Sequence, residues 1–351
     1  MIAAARRDYR VICLSRASSP ITHMRGVEGN EAMVARAPIA TPTGVRRVPY
    51  LSGNSLRHSA VRAPGMAWLV GELGLAGSLT VAQLNFLFHG GAMTRGGGKE
   101  NIRRVADFHR LWPLGRLLGG SFPDQMVAGT LIAGRGILAC EENRDRLACL
   151  LDGAGPEILP DRMRPAESFV GDWRYHRMDA RGGWIAADNA EAADSDSPDK
   201  SAGMIMSGQC VIPGSIFVHE FVARDASEAE VGALLWSIDL WRSGGGLIGG
   251  SARIGHGRLD VAILDDGGDH AAMVGAYLDH VRPVRDEAVG LLREIFAAPA
   301  DEGPAKKPAR GKKGEAPTAS ASIAAGGDRG PGGMEPQPIA AGDQASLFGD
   351  S

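Results

Sequence analysis

The sequence lacks any run of about 18 consecutive apolar residues, which excludes a membrane span. Its opening, "MIAAARRDYR", has no apolar core of signal-peptide length, so a cytoplasmic protein is expected. Cysteine is scarce: Cys13, Cys140, Cys149 and Cys210 are scattered, with no C-x-x-C pair. That excludes a disulfide frame and a cysteine zinc site, and reads as reduced thiols in a cytosolic protein. There is no G-x-x-x-x-G-K-[ST], and no glycine motif sits between a first strand and its helix. A doubly wound nucleotide fold is therefore the weaker competitor. No cofactor and no metal are called for.

What is present is a divided charge. The 351 residues carry a formal net charge of −3, yet residues 1–130 carry 16 Lys+Arg against 7 Asp+Glu. Residues 131–296 reverse this, with 16 against 27. The basic excess is mostly arginine, whose planar fork suits phosphate. Such a bias fits an anionic polymer partner, and it fits an ordinary solvated face equally well.

Along the chain, Tyr9–Ala17 ("YRVICLSRA") reads as a first strand. A polar loop, "SSPITHMRGVEGNE", follows it. In "VPYLSGNSLRHSAVRAPGMAWLVGELG", Asn54 or Ser55 caps a helix from Leu56, kinked near Pro64 and ended by Gly74. Two helices are expected within 80–118, then a strand in "MVAGTLIAGRGILAC". Residues 152–207, with five acids in "DNAEAADSDSPDK", are too polar and irregular for core. Two strands or one bent strand are expected around Pro213-Gly214. Ser227 and Glu230 then form a capping box on a helix with Val231, Leu234, Leu235, Ile238 and Trp241 on one face. A glycine-rich loop, "GGGLIGGSARIGHGRLDV", leads into the strand "RLDVAIL". A helical segment from Ala271 to Phe296 follows, broken near Pro283. The chain beyond 296 is Pro-, Ala-, Gly- and Ser-rich and is expected to be disordered.

The expected fold class is α+β: a ferredoxin-like, RNA-recognition-type palm from 1–74 and 208–296. A helical and strand insertion occupies 75–151, a flexible thumb-like insertion 152–207, and the disordered tail 297–351.

Three segments carry a family resemblance: "VPYLSGNSLRHSAVR" (48–62), "QCVIPGSIFVHEFVA", and "GGSARIGHGRLDV" (249–261). Together they resemble the RAMP (repeat-associated mysterious protein) superfamily of CRISPR systems. Over roughly residues 8–296 the chain is most similar to a Cas-seven-type backbone subunit, and most like that of a type IV effector complex. Type I-D and type III backbone subunits are the near alternatives. The resemblance implies a subunit that stacks in copies along guide RNA (crRNA) and presents it to a target, DNA more than RNA, beside other effector subunits. It implies no catalytic residue.

The residues it implies for RNA are these. Arg16, His23 and Arg25 lie in or beside the loop after the first strand. Ser52, Asn54, Ser55, Arg57, His58 and Arg62 lie on the first helix, with Arg57 and Arg62 five apart and off an ideal shared face. Free N–H groups at that helix start favour phosphate, and simple capping by Ser52–Ser55 is the plain alternative. Arg174, Arg177, Met204 and Met206 belong to the thumb, with Trp173 and Tyr175 as stacking candidates. Gly249, Gly250, Ser251, Arg253 and His256 form the late glycine loop, with Arg258 beyond; alternation keeps Arg253 and Arg258 from being assumed to share a side.

The competing function is an endoribonuclease of the same superfamily, with His58 as acid or base. No second histidine, tyrosine or lysine stands at a telling spacing. The loop 16–33 has Glu28 and Glu31 but no aspartate, which the type III nucleolytic backbone subunits use there. Separately, Gln344, Leu347 and Phe348 in "QASLF" resemble the bacterial sliding-clamp-binding motif at the end of the tail.

Overall fold

The computed structural model describes residues 5–28, 31–94, 101–151, 159, 162–177 and 204–297. The expectations placed on 178–203 and on the tail beyond 297 lie outside these residues, as do the side chains of Arg25, Arg177 and Met204.

Strand β1 (Arg7–Ala17) buries Tyr9, Val11, Cys13, Ser15 and Ala17 on one side and leaves Arg10, Leu14 and Arg16 more open on the other. That two-residue period is what a sheet with two different faces requires. The stretch read as a polar loop contains two short strands, β2 (Met24–Glu28) and β3 (Glu31–Val34), which pair antiparallel. A hairpin that the sequence did not announce follows: β4 (Arg36–Thr41) and β5 (Gly44–Leu51).

Helix α1 (Gly53–Leu56) continues through a π-helical stretch, Arg57–Arg62, into α2 (Ala63–Glu72). Its cap is Ser52, two residues before the expected Asn54. Because Leu51 ends β5, the chain arrives at Ser52 still extended, and the Ser52 hydroxyl accepts from the Ser55 N–H at 3.1 Å. Three helices rather than two lie within 80–118: α3 (Val81–His89), α4 (Ile102–Leu111) and α5 (Pro113–Leu118). Pro113 separates the last two, since it cannot donate to a continuing helix.

The expected strand near 126–140 is three short ones: β7 (Met126–Val127), which pairs with β6 (Gly120–Ser121), then β8 (Leu131–Ala133) and β9 (Gly136–Leu138). After α6 (Arg144–Leu150) come β10 (Val170–Arg177), β11 (Met204–Val211) and β12 (Ile216–Ala226). Helix α7 (Glu228–Ser243) starts with the Ser227–Glu230 capping box. Strand β13 (Leu259–Asp265) and helices α8 (His270–Val281) and α9 (Arg285–Ile295) complete the order, with the break at 282–284.

The main sheet runs β13-β1-β12-β9-β5-β4, with β8 also on β12, and its pairings are antiparallel. One face carries the large core, where Val11, Cys13, Phe217 and Phe221 meet Leu56, Val61 and Leu69 of the first helix and Leu234, Leu235 and Ile238 of α7. The other face is covered in part by a smaller cluster in which Ile12, Ile216 and Val218 pack on Leu147 and Leu151. A second sheet, β10-β11-β3-β2, stands beside it, with β11 parallel to β3. Among the described residues no helix is long and apolar enough to cross a membrane.

Candidate nucleic-acid interface

The glycine loop closes on itself and on the segment after β1. The Ile248 N–H donates to the Gly257 carbonyl and the Gly257 N–H to the Pro20 carbonyl, both at 2.8 Å. The Arg258 N–H reaches the Ser19 hydroxyl at 2.9 Å, and the Ser18 N–H the Arg258 carbonyl at 3.0 Å. Gly257 has a φ of +85°, and a Cβ there would overlap the Ile248 carbonyl, so a bare backbone is required on two counts. Gly250, by contrast, faces open space: nothing lies within 4 Å of a Cβ built on it. Arg253 is exposed and without a partner among the described residues.

The segment after β1 continues to His23, and here it meets the first helix. The Ser52 N–H donates to His23 Nε2 at 3.1 Å. This bond needs a neutral imidazole, and burial duly pushes the His23 pKa below its ordinary value. His23 stands edge-on to the Tyr50 ring, centroids 5.9 Å apart. The other approach to Tyr50 is taken by Arg135, whose guanidinium carbon lies 5.0 Å from the ring centroid. His23 thus holds the cap of α1 rather than standing free. Asn54 is exposed on the first turn and Ser55 half-buried, and Arg16 is exposed at the end of β1.

Arg57 and Arg62 turn inward. The π-helical stretch closes a bond from the Ala63 N–H to the His58 carbonyl, five residues back. That wider turn aligns residues five apart, which an α-helix does not. Both guanidinium groups therefore reach the same acceptor, the Leu118 carbonyl at the end of α5. Arg62, 8% exposed, also donates to the carbonyls of Leu87 at 3.1 Å, Gly119 at 3.2 Å and Phe86 at 3.3 Å. It is a cation set between the C-terminal ends of α3 and α5, where helix dipoles favour positive charge. Burial, with Arg57 nearby, lowers its pKa to about 10, so it stays charged. His58 is exposed and stacks with His89 of α3, ring centroids 6.3 Å apart and planes 13° off parallel. Burial, His89 and Arg62 all lower the His58 pKa.

Trp173 and Tyr175 alternate onto one side of β10 and stack at 5.6 Å. The Tyr175 hydroxyl donates to Met206 Sδ of the facing strand at 2.8 Å. Trp173 then meets the edge of His256 at 5.7 Å. Arg174 is exposed, and one position along the strand from these two rings its side chain takes the opposite side.

Trp173, His256, the glycine loop, His23, Ser52 and Tyr50 therefore form one continuous rim. Three residues at or beside it are not singled out by the sequence: Tyr50, Arg135 over the Tyr50 ring, and His89, which stacks on His58. The signal for Arg135 was an arginine between two glycines in a strand-to-strand turn, "AGRGI". Arg57 and Arg62 are turned away from this rim, and Gln344, Leu347 and Phe348 lie outside the described residues. Among the described residues no group of three or more His, Cys, Asp or Glu is placed to hold a metal ion.

No protein-family model matches the chain, and no curated protein matches its sequence. Solved structures do match. A chain of a type IV-B CRISPR complex aligns with a TM-score of 0.49 and 16% identity, over 72% of this chain and 90% of that one. Csc2 of Thermofilum pendens aligns with a TM-score of 0.35 and 15% identity, over 83% of this chain and 78% of that one.

Proposed function

We propose that the chain is a guide-RNA-binding backbone subunit of a CRISPR effector complex, of type IV character, cytoplasmic and non-catalytic. The observation that carries this is the rim itself. Segments 19–23, 50–55, 173–175 and 249–258 are far apart in sequence; 50–55 and 249–258 lie within two of the family motifs, and the other two are where the resemblance implies further RNA contacts. Side chains and backbone link them directly. We read the order β13-β1-β12-β9, with a helix after β1 and another after β12, as a ferredoxin-like palm that carries the rim.

The contact set is Arg16, Ser52, Asn54, Ser55, His58, Arg174, Met206, Gly249, Gly250, Ser251, Arg253 and His256. Arg25, Arg177 and Met204 extend it along the same segments, and Trp173 and Tyr175 offer stacking faces. Arg62 and His23 support it from behind. Backbone amides, hydroxyls and arginines grip phosphate and ribose and leave base edges free, as a holder of any guide sequence must. Copies of the chain line up on the guide and present it to target nucleic acid, DNA more than RNA, with other effector subunits completing the complex.

The test is binding to several unrelated single-stranded RNAs over a salt series. Affinities within a few-fold of one another are expected, with log K falling against log salt by about 0.7 per phosphate engaged. Absence of RNA binding, or binding to one sequence only, would falsify the reading.

One observation favours the endoribonuclease alternative: His58 has a second imidazole, His89, stacked on it. Incubation of the protein with labelled repeat RNA decides the point. Discrete products abolished by His58→Ala would establish cleavage, and intact RNA in a stable complex would dismiss it.

A further inference from the structure

Arg135 occupies the turn between β8 and β9, with Gly134 before it and Gly136 after it, so neither neighbouring side chain shields it. It is exposed, and no carboxylate pairs with it among the described residues. The Glu220 carboxylate nearby is already taken by Arg10, at 2.8 Å, while the Glu220 carbonyl receives the Gly134 N–H, also at 2.8 Å. What remains to Arg135 is the ring of Tyr50 beneath it.

Tyr50 is fixed by the sheet. It pairs with Ile137, which pairs with Val218, which pairs with Leu14, so these four lie in one row across the strands. Ile137, Val218 and Leu14 belong to the smaller cluster, on the face turned away from the first helix and α7. Tyr50 therefore stands on that same face, with His23 against its edge. The turn that bears Arg135 is held just as firmly. Leu51 pairs with Gly136, and Gly53 approaches the Ala133 carbonyl so closely that a Cβ would overlap it.

We propose that Arg135 and Tyr50 form a nucleobase-stacking site, in which one base of the bound RNA lies flat on the outer side of the guanidinium while its inner side rests on the tyrosine ring. The inference rests on the RNA-binding reading and adds a named position to it. A guanidinium already over an aromatic ring presents a planar, weakly hydrated cation, and unstacked RNA bases use such planes. The cap of α1 begins two residues after Tyr50, about 7 Å of extended chain, so a phosphate of the same strand is met by the Gly53 and Asn54 amides, the two in that turn not given to His23 or Ser52. The site reads the flat face that every base has, so it adds affinity without sequence preference.

The experiment uses the full chain and a uridine-rich single-stranded RNA carrying 2-aminopurine, scanned along its length. Wild type is expected to quench the probe at recurring positions. Arg135→Lys keeps the charge but not the plane: it should weaken binding about tenfold and lose that quenching, with the salt slope unchanged. Arg135→Ala should lose the same quenching and also flatten the slope by about one phosphate. Tyr50→Phe, which keeps the ring, should behave as wild type. If Arg135→Lys binds and quenches as wild type does, Arg135 is a point charge and the stacking site is refuted. Wild type failing to bind RNA at all refutes the RNA reading and the stacking site together. Wild type binding with Arg135→Ala unchanged refutes the stacking site alone.

Discussion

Replacing Arg62 with methionine separates scaffold from interface. The substitution keeps the apolar stem and removes a guanidinium that donates to four carbonyls at 3.1–3.4 Å. Hydrogen bonds from a charged donor are usually worth ~1.5–3 kcal/mol each, and at these lengths the four of them come to about 6 kcal/mol. The C-terminal dipoles of α3 and α5 add ~0.3–1 kcal/mol apiece. Removing the cation also relieves its desolvation, the cause of its lowered pKa, so the expected net loss is about 3 kcal/mol. In a domain of this size that corresponds to a Tm lower by about 6–12 °C. In urea the midpoint should move and the m-value stay constant. RNA affinity, measured at a temperature where the variant remains folded, should stay within about twofold of wild type. An unchanged Tm together with lost RNA binding would refute the reasoning, because it would mean the guanidinium meets RNA and not the helix ends.

Gly257→Ala should destabilise the loop by about 1–3 kcal/mol and weaken RNA binding, whereas Gly250→Ala should be silent on Tm. Equal behaviour of the two in differential scanning fluorimetry would contradict the loop geometry. His219 is fully buried with its Nε2 against the Ser15 hydroxyl at 2.9 Å, and burial lowers its pKa to about 4. An unfolded chain binds that proton near pH 6.5 and the folded one does not, so this contribution to stability is complete above pH 6.5 and falls as pH drops towards 4. The slope is about 1.4 kcal/mol per pH unit, and urea midpoints at pH 7 and pH 5 of wild type and His219→Gln measure it; a parallel fall in both would dismiss the assignment. A peptide of the last residues, "GDQASLFGDS", should bind purified bacterial sliding clamp in the micromolar range. No binding at about 100 µM, or equal binding by a Leu347→Ala/Phe348→Ala peptide, removes that partner.

Much of the fold was legible where local chemistry decides it. The Ser227–Glu230 box, the alternation of β1 and the proline break before α9 each rest on neighbours in sequence. The β4–β5 hairpin was not legible, because Pro38 and the arginines at 36, 46 and 47 interrupt its alternation. The burial of Arg62 was hidden for a different reason. Spacing sets Arg57 and Arg62 off an ideal shared face of an α-helix, and the π-helical turn brings them together on one inward face. The rim was partly legible because glycines and polar residues at such positions cost order unless backbone must approach closely. Arg135 and Tyr50 were hidden because their contact depends on the pairing of β5 with β9.

The most direct measurement is the mass of complexes formed on single-stranded RNAs of increasing length, by light scattering after gel filtration. Copies of the chain should rise in proportion to RNA length, irrespective of sequence. A fixed single copy on every RNA, or no complex with any, would contradict the proposal that this chain is the repeating subunit on a guide.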